Sequence, residues 1–354
     1  MLKSTPPRAP SLYIHVPFCT SKCGYCAFNS FSGLDSLKDA YVEALIVDLK
    51  DSLKSTPVLS SIFIGGGTPN TLEPKHYEYI FNTIATHTTS AQNIEITLEA
   101  NPDLITKEWC KTLRALGANR LSLGVQSFFA DKLRFLQREH SQQDIFKALE
   151  IAHTCGFNHL SIDLIYNTPL DMPARLKAEC MQANTLPIDH LSAYSLTLED
   201  NTRLAKSTAP SALLNADSTL QNILKDLGFT PYEVSNYAKP YQVQHNLGYW
   251  AGCEYLGCGA GAVGRMGKER FYKQKYVLAY IKDPLKRRIE HLSDQDLEFE
   301  RLFLGLRCVL GVELKGLDPK KTQTLVEEEK CKISNQRLVA CDFFLADEIA
   351  LWLT

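Results

Sequence analysis

The run SLYIHVPFCTSKCGYC, residues 11–26, joins a β-branched apolar stretch to three closely spaced thiols, and the rest of the chain reads outward from it. Residues 11–18 have the composition of a short strand. The same beat returns in SIFIGG (61–66), NIEITLEA (93–100), RLSLGVQS (120–127), HLSIDLIY (159–166) and HLSAYSLT (190–197). Between these runs, 36–54, 75–87, 107–117 and 144–156 carry apolar residues at helical spacing, several with a glycine near the end. These are βα units. Six in series, with strands read as apolar on both faces, predict a parallel sheet covered by helices. Right-handed crossovers permit a doubly wound sheet or a barrel. The barrel is favoured by where the unusual residues fall. The cysteines follow the first run, GGGTP (65–69) the second, Glu99 and Gln126 end the third and fourth, and Asp163 lies in the fifth. Polar residues converging from the carboxyl ends of successive strands make up a barrel's active face. The expected class is therefore α/β, a partial (β/α)6 barrel of the TIM type.

After Leu198 the rhythm fails. A helix-like run (211–227), a glycine-rich stretch (256–267) and a charged region from about 281 follow, with a final apolar helix near 346–353. The expected organisation is an N-terminal arm at 1–10, the barrel at 11–280, and a small, mainly helical domain at 281–354. With 45% hydrophobic and 22% charged residues, the composition is that of an ordinary globular protein. A net charge of -2, from 38 basic and 40 acidic residues, supplies no general field for a polyanion or a lipid surface, so no nucleic-acid partner is expected. No apolar run reaches the roughly 20 residues of a membrane span, and MLKSTPPRAP lacks the apolar core of a signal peptide. The expectation is a cytoplasmic protein without a transmembrane segment, in contact with a membrane only transiently if at all.

Three of the eleven cysteines, Cys19, Cys23 and Cys26, fall within eight positions with the spacing C-x3-C-x2-C. In a reducing compartment this points to metal rather than disulfide. Three thiolates on one tight loop can hold three irons of a [4Fe–4S] cube and leave the fourth iron open. The alternative is a zinc loop, which needs a fourth ligand; His15, inside a predicted strand, is an awkward one. In GGGTP, residues without a Cβ let backbone approach a ligand closely, and the carbonyls with the Thr68 hydroxyl suit an ammonium group. Taken alone, GGGTP reads better as a plain turn; one βα unit after the cysteine loop, it points to a ligand site.

The cysteine loop with Tyr25 before its third thiol, followed by GGGTP, resembles the radical S-adenosylmethionine (SAM) superfamily, whose members use a partial (β/α)6 barrel. YIHVPFCTSKCGYC is similar to its oxygen-independent coproporphyrinogen III oxidase branch. The resemblance implies that SAM chelates the open iron and is cleaved by an electron from the cluster. It also implies SAM-binding roles for Tyr13, Tyr25, Gly66, Gly67, Thr68, Glu99, Gln126, Arg138 and Asp163. Ribose hydroxyls need acceptors and a carboxylate needs a cation, which suits Glu99, Gln126 and Asp163 to the first task and Arg138 to the second. The competing readings are a structural ion pair for Asp163, a solvated helix face for Arg138, and loop packing for Tyr25.

Oxidases of that branch carry another cysteine two positions after the third ligand, where this chain has Phe28, and a longer segment before the first strand. Both departures point to the haem-chaperone branch, HemW. His245, Asn246, Tyr249 and Trp250 match that branch's HNxxYW pattern, which implies haem binding, with an imidazole as axial ligand and aromatic rings lining a porphyrin slot. Loop capping by His245 and Asn246, with Trp250 in the core, is the competing reading. Cys253 and Cys258 fit no cluster spacing and read as packing thiols. The glycines of 257–267 lack the strand–helix setting of a nucleotide loop. The resemblance thus implies a chaperone that binds haem and passes it to haem-requiring partners such as respiratory proteins. The alternatives are a coproporphyrinogen III oxidase, or another radical SAM enzyme such as a methyltransferase.

Overall fold

The computed structural model describes residues 9–200, 202–208 and 215–354. The expected arm at 1–10 lies almost entirely outside them, as does part of the 211–227 run. The six runs form strands β1 (Ser11–Val16), β2 (Val58–Gly66), β3 (Thr89–Ala100), β4 (Arg120–Gln126), β5 (His159–Tyr166) and β6 (His190–Ser195). Each is parallel to the next. The crossovers carry helices α1 (Lys38–Leu53), α2 (Pro74–His87), α3 (Lys107–Ala115), α4 (Ala130–Phe135), α5 (Gln142–Thr154) and α6 (Pro173–Asn184). Local chemistry sets several of their starts. Thr106 accepts from the Trp109 N–H ahead of α3, and Ser141 with Asp144 makes a capping box at α5.

The strands alternate, which corrects the expectation of two apolar faces. Leu12, Ile14, Ile62, Ile64, Leu98, Leu121, Leu123, Ile162 and Leu191 are almost fully buried in one continuous core, and each such side chain contributes roughly 1.5–3 kcal/mol. The residues between them, among them Tyr13, Glu95, Thr97, Glu99, Arg120, Ser122, Ser161, Asp163 and His190, have the opposite parity and face the lumen. Curving the sheet makes this possible, because it turns the second face onto itself and encloses a polar interior.

The barrel is open. Past β1 the sheet continues through Tyr255–Cys258, parallel to β1, and then through antiparallel strands Val263–Met266, Glu269–Lys273 and Arg287–His291. Past β6 it ends in Asn236–Ala238 and Thr230–Pro231. The expected boundary at 281 therefore falls within the sheet. A second core, around Leu302, Leu306, Leu325, Leu338 and Ile349, belongs to a mainly helical unit beginning with the helix Asp294–Gly305. It ends with the helix Ala346–Leu353 at the expected place, and adds an unforeseen three-stranded antiparallel sheet. Among the described residues no helix is long and apolar enough to cross a membrane.

Candidate cofactor site

The loop leaving β1 carries the three cysteines, all free thiols and all partly accessible. It is strapped to the end of β2, where Gly67 N–H donates to the Val16 carbonyl (2.8 Å) and Thr68 N–H to that of Phe18 (2.7 Å). These contacts account for the glycines. A Cβ at Gly67 would lie 2.7 Å from the Phe18 carbonyl oxygen, and Gly66 has a φ of +115°. His15 braces the loop from beneath with both ring nitrogens engaged, one with the Tyr13 hydroxyl (2.8 Å) and one with the Asn29 carbonyl (2.9 Å). It has no lone pair left for zinc. Among the described residues no three metal-binding side chains converge as on a single ion. A cube does not require that, because each thiolate takes its own iron.

In front of the thiols lies a cavity of about 110 Å3, reached by Tyr25, Gly66, Gly67, Thr68, Glu99, Gln126, Arg138 and Asp163 as well as the three cysteines. Residues from five strand ends thus meet as the sequence implied. Thr68 donates to the Cys19 sulfur (3.4 Å) and Arg138 Nη1 to that of Cys23 (3.3 Å). Burial raises the Cys19 thiol. Arg138 lies in the loop after α4, which removes the solvated-helix reading. Its Nη2 donates to Asn101 Oδ1 (2.8 Å) and to the Gly124 carbonyl (2.7 Å), and its Nε is buried with no partner. Gln126 sits at a register shift between β4 and β5 with a φ of +65° and keeps the lumen-facing parity of Arg120 and Ser122. Tyr25 lines the cavity and also packs against the apolar cluster of Leu136, Leu196 and Leu204.

Burial, reinforced by the neighbouring Asp163, pushes the Glu99 carboxyl up to about 7 even though it accepts from Gly66 N–H (3.0 Å). Burial raises Asp163 as well, against hydrogen bonds from Ser122 and Ser192. Two carboxylates held above their ordinary range form a pocket that favours hydroxyl donors or a cationic ligand.

Tyr13 is set apart. It lines a second, larger cavity of about 970 Å3 together with Phe28, Tyr249 and Tyr255. Of the HNxxYW residues, only Tyr249 reaches that cavity. His245 is 1% exposed in the helix Gln244–Trp250 at the amino end of the lumen, Asn246 lines neither cavity, and the Trp250 side chain bonds Glu233. Cys258 is buried as a packing thiol, whereas Cys253 lines the larger cavity. The glycine-rich stretch enters an antiparallel turn with no helix directly after it. Sequence reasoning missed Asn101, which orients Arg138; its only signal was a polar residue two places beyond Glu99 at the same strand end.

The Radical SAM superfamily model matches residues 13–175. "Heme chaperone HemW" of Lactococcus lactis subsp. lactis (strain IL1403) is 34% identical over 94% of this chain and 91% of its own length. The protein of that name in Escherichia coli (strain K12) is 37% identical over 72% of this chain and 70% of its own. The solved structure titled "Coproporphyrinogen III oxidase (HemN) from Escherichia coli is a Radical SAM enzyme" covers 99% of this chain and 91% of that one, with a TM-score of 0.83 at 21% identity, a likeness of fold. The superfamily implies a [4Fe–4S] cluster and SAM. The residues present fit both, with three free thiols around one cavity, an orphaned Arg138 Nε, and two carboxyls that burial raises above their ordinary range. Similarity that runs nearly end to end, with the matching fold, makes the chain a member of the HemW family within the radical SAM superfamily.

Proposed function

We propose that this protein is a haem carrier built on a radical SAM barrel, which binds haem and passes it to haem-requiring proteins, those of a respiratory chain among them. The observation that carries the reading is the 34% identity, over almost the full length, to proteins named heme chaperones. Phe28, where the oxidase branch has its further cysteine, supports it. In this reading Cys19, Cys23 and Cys26 hold the cluster, and Gly66, Gly67 and Thr68 receive the methionine ammonium. Arg138 holds the carboxylate, Glu99, Gln126 and Asp163 accept from ribose hydroxyls, and Tyr25 covers the loop. Tyr13 lines the larger cavity and stands outside this set. The chemistry supplied at the site is one-electron cleavage of a sulfonium, and the chain's part is to hold and orient the groups and exclude water. His245, Asn246, Tyr249 and Trp250 form the haem-binding element. The barrel with its sheet extension, from residue 11 to His291, carries the cofactors, and the unit beginning at Asp294 forms the second domain. The cytoplasm is the proposed location.

Anaerobic protein given SAM, reductant and coproporphyrinogen III is expected to yield no protoporphyrinogen IX, while ferric haem produces a saturable Soret shift. Sustained turnover to protoporphyrinogen IX would overturn the proposal in favour of the oxidase.

A further inference from the structure

A groove of about 970 Å3, open to solvent on one side, lies between the barrel and the helix Asp294–Gly305. That size is at the upper end for small-molecule and cofactor sites. The large cavity's walls are mainly apolar. On the helix, Leu297, Glu300, Arg301 and Leu304 recur at i, i+3, i+4 and i+7, with Phe299 and Phe303 beside them, rings 4.6 Å apart. Opposite are Tyr13, Tyr249 and Tyr255. The charged residues lining the cavity are four arginines (Arg265, Arg270, Arg301, Arg307) against one acid, Glu300. Arg270 pairs with Glu290 and Glu300, Arg301 with Glu298 and Arg307 with Asp347, while Arg265 donates to the Gly252 and Cys253 carbonyls, so the charges at the rim are balanced and what the slot offers is a mainly apolar, ring-lined surface suited to a flat aromatic ligand.

An unsatisfied imidazole lies one ring behind this wall. His245 Nδ1 is hydrogen-bonded to the Ser61 hydroxyl (2.8 Å), and its buried Nε2 has no partner. The Tyr249 ring crosses the His245 ring edge-on at 4.7 Å and also meets Tyr255 at 4.7 Å. Burial lowers the His245 pKa to about 3, which keeps the ring neutral and able to bind metal.

We propose that the large cavity is the tetrapyrrole seat, that the helix Asp294–Gly305 forms one face of the slot, and that Tyr249 screens His245 Nε2 until it moves aside for the haem iron. This rests on the haem-carrier reading. It assigns the C-terminal unit a part in binding and makes Tyr249 the screen through which His245 is reached.

The test titrates the anaerobic, cluster-loaded chain with ferric haem and with metal-free protoporphyrin IX. Ala251→Trp fills the cavity from its wall, and Phe299→Asp places a charge on a side chain already 41% exposed. Both are expected to weaken both ligands by about tenfold or more. His245→Ala weakens haem alone, and in stopped flow Tyr249→Ala speeds formation of the ligated Soret band. Leu351→Asp, at an exposed position outside the cavity, binds as the parent does, and thermal unfolding verifies that each variant is folded. If the parent protein binds neither ligand, the haem-carrier reading itself fails. If the parent binds but folded Ala251→Trp and Phe299→Asp match it, the seat is elsewhere and this inference is overturned. If Tyr249→Ala leaves the rate unchanged, the screen is overturned.

Discussion

The two ends of the barrel lumen are built from the same strands and similar residue types, yet they treat polar groups in opposite ways. At the amino end Glu95 accepts from the Tyr241 hydroxyl (2.6 Å) and from the N–H groups of Gln244 (2.8 Å) and His245 (3.0 Å). A carboxylate on β3 thereby caps the helix that carries HNxxYW. His190 is held between the Ser161 hydroxyl (2.7 Å) and that of Tyr232 (2.9 Å). At the carboxyl end Glu99, four residues further along the same strand and on the same face, has a single backbone donor, and its carboxyl is driven upward. The satisfied carboxylate builds the barrel and the under-satisfied one is available to a ligand, as is the unpartnered Nε2 of His245 at the amino end. The contrast predicts that changes at the amino end cost stability, while changes at the carboxyl end cost binding and leave stability intact or improved.

The largest expected effect is at the thiols. Serine at Cys19, Cys23 or Cys26 abolishes the cluster's visible absorption after reconstitution, while the melting temperature of the metal-free protein stays near that of the parent. A collapse of the metal-free fold would break the comparison. Next comes Glu95→Ala, which strands two helix N–H groups and a phenol. Urea titration is expected to show a loss of about 3 kcal/mol, with SAM affinity of the folded fraction retained.

Glu99→Gln sharpens the contrast, because binding and stability should move in opposite directions. SAM affinity falls by about tenfold, roughly 1.4 kcal/mol. Stability moves with pH. Burial raises the folded-state carboxyl from 4.5 to about 7, so the folded state disfavours ionisation. The penalty is absent below about 4.5, where both states are protonated, and complete above about 7. The variant should therefore match the parent near pH 4 and exceed it near pH 8, by on the order of 2 kcal/mol. Equal stability at both pH values would show that the carboxyl is already satisfied. The smallest effect is Tyr241→Phe, which removes one donor from Glu95 and is expected to cost about 1 kcal/mol in the same titration.

The legibility of the chain follows this division. NIEITLEA presents Glu95 and Glu99 with the same parity, and nothing local separates them. Glu99 drew notice because it ends a strand, where barrel sites form. The partners of Glu95 lie about 150 residues away in a helix that only the fold brings to β3. Arg138 reads as a helix-face residue in sequence because REH resembles ordinary surface sequence; its contacts with Gly124, Asn101 and Cys23 are all tertiary. The HNxxYW pattern was visible as a string, but which of its side chains is buried and which reaches the cavity depends on how its helix packs onto β2.

From the sequence alone came the six βα units, the three-thiol loop at the end of the first strand, and the strand-end positions that meet around it. These rest on short-range periodicity and on the rule that barrel strands deliver their carboxyl ends to one face. Only the tertiary structure decided that the inward residues would be polar, which of them would be paired, and that a helix from the far end of the chain would wall a cavity beside Tyr249. Hydrogen-bond satisfaction and cavity volume depend on groups distant in sequence, and are defined only once the sheet has curved.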